Sequence, residues 1–142
     1  MKLLKKQKKW ANMKNFQLDI ITPTSVDSYE NVSYLRIPAL DGLTGIQARH
    51  ATAIIGLGIG EIKVTYGEKE KIFSTSGGFA DIKPESVQLL IETIESKENF
   101  DSKRAKAAFQ RAEKRMTNKT NDLQRAEESL LRAKNRLKIF DK

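Results

Sequence analysis

The chain has 142 residues, 39% of them hydrophobic and 31% charged, with no cysteine and a formal net charge of +8. The hydrophobic share excludes a wholly disordered chain, and the missing thiols exclude disulfides and thiolate metal centres. No apolar run approaches the ~20 residues that a membrane-spanning helix needs. The charge is uneven: +5 over residues 1–12, −4 over 13–96 and +7 over 97–142. A basic nucleic-acid-binding module of β structure plus a helical hairpin is therefore a competing reading. It fares poorly, because the central part is acidic and no strand interleaves aromatic and basic residues as a base-stacking platform does.

Residues 1–12, MKLLKKQKKWAN, form a basic extension that ends just before a second methionine, Met13. It lacks the apolar centre and small-residue cleavage site of a secretory signal. The expectation is a disordered tail or the product of an upstream start. Leu3, Leu4 and Trp10 leave a short amphipathic surface anchor as the alternative.

From Met13 onward, β-prone runs alternate with turn signals. Phe16, Leu18 and Ile20 alternate with Gln17 and Asp19, the period of a half-buried strand, which Thr22-Pro23-Thr24 ends. The next run is expected to place Val32, Tyr34 and Arg36 on one face and Leu35 and Ile37 on the other. Asp41-Gly42 and Gly45 punctuate the stretch after Pro38. Ile59 to Tyr66 and Lys71 to Thr75 flank Gly67-Glu68 and predict a hairpin. Val87 to Ile91 is an apolar-rich run after the turn at Lys83-Pro84. Many short strands predict a flattened β-sandwich or barrel over residues 13–97.

All eight glycines and all three prolines precede Ser96. Residues 98–142 are predicted to be an antiparallel two-helix hairpin, so the fold class is mainly β plus α. Asp101 is placed to cap the first helix. Ala105, Ala108, Ala112 and Met116, with Phe109 beside them, share a face of it. Thr117 to Asn121 are poor helix formers and read as the break. Leu123, Ala126, Leu130, Ala133 and Leu137 then form a coiled-coil-like seam. A seam rich in alanine buries little apolar area at ~25 cal/mol per Å², so the helices are expected to hold together weakly and to be able to change state.

No catalytic constellation is visible. His50 is the single histidine, without a second histidine or a cysteine for a metal site. Ser76-Gly77-Gly78 lacks the lysine and following helix of a phosphate loop and reads as a glycine-rich strand bend.

Several short motifs stand in one order: Ile21-Thr22-Pro23, then Val32 followed by Ile37-Pro38-Ala39-Leu40-Asp41-Gly42-Leu43-Thr44-Gly45-Ile46 and His50, then Leu57 to Gly60 and Ser76-Gly77-Gly78-Phe79. The helical half adds Asp101-x-x-Arg104-Ala105, Ala112-Glu113, Arg125-Ala126-Glu127 and Arg132-Ala133-x-x-Arg136-Leu137. In this order and spacing the chain, from Met13 to its C-terminus, resembles the epsilon subunits of rotary F-type ATP synthases, called delta in mitochondria. It departs from them at Gln47-Ala48-Arg49, where Leu-Pro-Asn is usual, at Thr52, where a proline is usual, and at Leu43, where a glutamate is frequent.

The resemblance implies a non-catalytic rotor subunit, peripheral on the cytoplasmic face of a bacterial plasma membrane and reaching the membrane only through the complex. Its partners would be the gamma subunit, the c-ring and, when the hairpin extends, the alpha/beta catalytic head, whose ATP hydrolysis it would block. Arg111, Arg115, Arg125, Arg132, Lys134 and Arg136 would then face acidic segments of that head. The resemblance also implies a regulatory ATP, with or without Mg²⁺, and no required cofactor. The expected ATP contacts are Glu95, Asp101, Arg104 and Arg111, with Arg132 and Arg136 adding from the second helix. The alternative for Asp101 and the arginines is a helix cap and a solvated face.

Overall fold

The computed structural model describes residue 2, residues 14–117 and residues 123–140. The rest of the basic extension, and residues 118–121 of the expected break, lie outside the described residues. Thr117 itself is the last residue of a helix.

Among the described residues, nine strands precede the two long helices: β1 Phe16–Ile21, β2 Val26–Ala39, β3 Gly42–Ile46, β4 Ala53–Leu57, β5 Gly60–Tyr66, β6 Lys69–Thr75, β7 Gly78–Ile82, β8 Ser86–Ile91 and β9 Ile94–Ser96. A short 3-10 turn, Lys97–Asn99, leads to α1, Ser102–Thr117, and α2, Leu123–Phe140. β1 pairs antiparallel with β2 and parallel with β8. β8, β7 and β4 continue antiparallel, and β4 returns to β2 through Ala39 and Leu57. The pairings thus close on themselves, while β5, β6 and β9 extend from the other edge of β2. Closure on one side and extension on the other give a flattened β-sandwich, its core filled by Leu18, Leu35, Ile37, Ile62, Ile82 and Leu89.

β2 departs from the simple alternation expected of it. Val32, Leu35 and Ile37 are all buried, so Val32 does not share a face with Tyr34 and Arg36. The register against β5 shifts between Val32 and Tyr34, and Asn31 adopts a left-handed backbone with φ 57°. A β-bulge inserts one residue, which reverses the facing of everything before it. The β5–β6 hairpin forms as expected on Gly67-Glu68, with Gly67 at φ 60°, a conformation glycine adopts without strain. Residues 87–91 are a strand in which Val87, Leu89 and Ile91 point inward.

The two helices pack antiparallel: the ring of Phe100, ahead of α1, lies 5.1 Å from that of Phe140, at the end of α2. Ala105, Ala112, Ala126 and Ala133 are buried, the narrow alanine contact that the sequence predicts. Leu130 and Leu137 are half-buried and Leu123 is exposed, so the seam is apolar over less of its length than the spacing suggests.

A candidate anion cleft between hairpin and sandwich

Asp101 closes the N-terminus of α1. Its carboxylate accepts from the Arg104 backbone N–H at 3.1 Å, and its carbonyl accepts from that of Ala105 at 2.9 Å. This satisfies amide donors that a helix start leaves open. It also sets the phase of α1, which directs Arg104, Arg111 and Arg115 along one face. On α2, Ser129, Arg132 and Arg136 follow at helical spacing.

These two faces border a cleft of about 500 Å³, lined by Arg104, Arg111 and Arg115 of α1, Ser129, Arg132 and Arg136 of α2, and Thr93 and Glu95 of the sandwich. Ala108, Ala112 and Ala133 complete the lining, and their small side chains leave the space open. Glu95 receives Arg136 bidentately, Nε to Oε2 at 2.8 Å and Nη2 to Oε1 at 3.1 Å. Arg132 Nη2 donates to Ser129 Oγ at 3.2 Å. Arg104, Arg111, Arg115 and Arg132 have no carboxylate partner among the described residues. Five guanidiniums against one carboxylate, itself occupied, make the cleft strongly anion-attracting.

Five of the six sequence-predicted contacts therefore converge: Glu95, Arg104, Arg111, Arg132 and Arg136. Asp101 is not in the lining and serves as the helix cap. Arg115 and Ser129 join the lining, and their spacing from Arg111 and Arg132 was the available signal. The six basic residues expected to face the head divide, with Arg111, Arg115, Arg132 and Arg136 lining the cleft and Arg125 and Lys134 exposed outside it. At the joint between domains, Glu98 has its carboxyl held below the usual carboxylate range by a hydrogen bond with its own backbone and by the Ser96 hydroxyl.

The other sequence candidates lie outside the lining of the cleft. His50 Nδ1 lies 2.8 Å from the Ala51 carbonyl oxygen, and among the described residues no group of His, Asp and Glu could hold a metal ion. Ser76 bonds the Thr93 hydroxyl, and Gly77 N–H donates to Thr75 Oγ1 at 3.1 Å, as the chain turns into β7 rather than into a helix. On the outer face of β4, β7 and β8, Ile54, Phe79 and Leu90 are exposed. Leu40, also exposed, and Phe79 and Leu90 border a shallow concavity. No described helix is long and apolar enough to cross a membrane.

Two family models match in tandem: the ATP synthase delta/epsilon chain beta-sandwich domain over residues 15–97, and the long alpha-helix domain of the same chain over residues 98–141. An ATP synthase epsilon chain from Desulforamulus reducens is 39% identical over 130 residues, covering 90% of this chain and 98% of that protein. One from Bacillus pumilus is 34% identical over 131 residues, covering 92% and 100%. Among solved structures, a chain of the Euglena gracilis mitochondrial ATP synthase (OSCP, F1 and c-ring) superposes with a TM-score of 0.68 at 21% identity, covering 91% of this chain and 79% of that one. A chain of the Tetrahymena thermophila mitochondrial ATP synthase (central stalk and c-ring) superposes with a TM-score of 0.62 at 14% identity, covering 89% and 98%. These two share the fold. With both domains matched in order and bacterial epsilon chains aligned over nearly the full length, the chain belongs to the ATP synthase delta/epsilon family, as a bacterial-type, non-catalytic epsilon chain of the central stalk.

Proposed function

We propose that the sandwich couples the catalytic head to the c-ring by gripping gamma and the ring, and that the hairpin is an ATP-responsive arm. With ATP in the cleft the arm stays folded. Without it the arm extends toward the alpha/beta head and blocks ATP hydrolysis. The observation that carries this reading is the convergence of arginines from both helices on one cleft beside the sandwich. A polyphosphate there would tie α1 to α2, with charge-assisted hydrogen bonds of about 1.5–3 kcal/mol each. A ligand that binds only the folded arm stabilises it by mass action. The same arginines are released when the arm opens and can then meet acidic surface on the head, so the two uses exclude each other.

The exposed Leu40, Ile54, Phe79 and Leu90 support the stalk-binding half of this reading, since clustered apolar surface of this kind marks docking sites. The place of action is then the cytoplasmic face of a bacterial membrane, reached through the assembled enzyme.

Titration of ATP into the isolated chain by calorimetry, with and without Mg²⁺, should give saturable binding below millimolar. Arg104→Ala should weaken it by at least tenfold, the loss of one charge-assisted contact, and leave sandwich unfolding unchanged. Unaltered affinity in that variant would refute the cleft as the ATP site.

A further inference from the structure

We infer that Asn135, which lies outside the cleft, is the positioning residue that sets α2 in register and thereby aims its arginines. Its Nδ2 donates two hydrogen bonds to the sandwich, to the Gly60 carbonyl at 2.9 Å and to Ser74 Oγ at 3.1 Å. Ser74 is only 5% exposed, so its hydroxyl has little access to water. Asparagine is a poor residue for a helix interior, and here its amide is spent on tertiary partners.

The neighbouring side chain makes the arrangement specific. Arg136 binds Glu95, and Glu95 is the strand partner of Ser74 across β6 and β9. Glu61, which follows Gly60, is the partner of Ser74 across β5 and β6. Two consecutive residues of α2 therefore read one transverse row of three strands. A rotation of about 100° or a slip of about 1.5 Å, one residue in a helix, would break both contacts together. Arg132 lies three residues before Asn135 and Ser129 six before, so the same register carries them to the cleft. The alanines buried between the helices carry no polar side-chain group, so they add no hydrogen bond to this register.

The affinity part of this inference rests on the ATP reading above; the positioning part does not. Amide hydrogen exchange of the full chain without ATP is the primary test. Asn135→Ala should speed exchange in α2 by roughly tenfold while β1 to β8 keep their protection, since two hydrogen bonds are lost and a buried hydroxyl is stranded. Ser74→Ala should do part of this, and the double variant should add little to Asn135→Ala. If wild type binds ATP, Asn135→Ala should raise its dissociation constant only in proportion to the closed fraction lost, a small change while the hairpin stays mostly closed, because only the closed fraction binds. Faster exchange in α2 with no ATP binding in wild type would uphold the pin and refute the ATP site. Unchanged α2 exchange in Asn135→Ala, or equal loosening of strands and helix, would overturn the inference.

Discussion

Gly78→Ala is expected to cost the sandwich about 3 kcal/mol or more and to lower its thermal midpoint far more than Gly67→Ala does. Gly78 opens β7 with φ +150°, a backbone region that side chains rarely adopt, and a β-carbon there would fall closer than 3.0 Å to the Leu90 carbonyl oxygen of β8. That oxygen lies on the strand with which β7 pairs, so it cannot retreat without unpairing the sheet. Gly67 also has positive φ, at +60°, but a β-carbon there meets nothing within 4 Å. Its replacement costs only the left-handed conformation, about 1 kcal/mol. Thermal unfolding of the two variants measures what the close approach and the rarer φ at Gly78 add to the left-handed cost at Gly67. Equal midpoints would show that β8 yields at Leu90.

Glu95→Gln should loosen the empty hairpin by about 2 kcal/mol, the order of a charge-assisted pair. Glu95 and Arg136 are 20% and 24% exposed, so the bond is shielded enough to count and its loss leaves a guanidinium without its carboxylate. The change also removes the one negative charge that offsets the five arginines of the cleft, so their mutual repulsion opens the arm further. A polyanion supplies the missing charge. Limited trypsin cleavage within the hairpin should therefore rise in Glu95→Gln without ATP and fall back when ATP saturates the cleft. Cleavage that stays at the wild-type rate without ATP would show that the Glu95–Arg136 bond does not hold the arm.

Much of this architecture is legible in local sequence, and the rest fails for identifiable reasons. β1 shows itself by its alternation, the β5–β6 turn by Gly67-Glu68, and the α1 cap by Asp101, because each is determined within a few residues. The arginines of the cleft can be named from the family motif and from helical spacing. The facing of Val32 is not readable, because the bulge that reverses it depends on how β2 meets β5. β4 and β7 carry Gly56 and Gly78, which weaken any strand pattern in the sequence, yet both are paired across the ladder, Gly56 with Phe79 and Gly78 with Leu57. Phe140 stands outside the predicted seam positions, yet it meets Phe100 across the hairpin. Asn135 carries no motif at all, and only its contact with Gly60 and Ser74, more than sixty positions away in sequence, gives it meaning. Sequence conveys periodicity and capping well. It conveys poorly the pairing of distant segments.

Closure of the hairpin by ATP in the arginine cleft would be read without intermediary by amide hydrogen exchange, measured with and without the nucleotide. At one hundred times the dissociation constant, ATP should slow exchange through hairpin opening by about a hundredfold in α1 and α2 and leave the sandwich strands unchanged. Identical protection of both helices with and without saturating ATP would contradict an ATP-held arm.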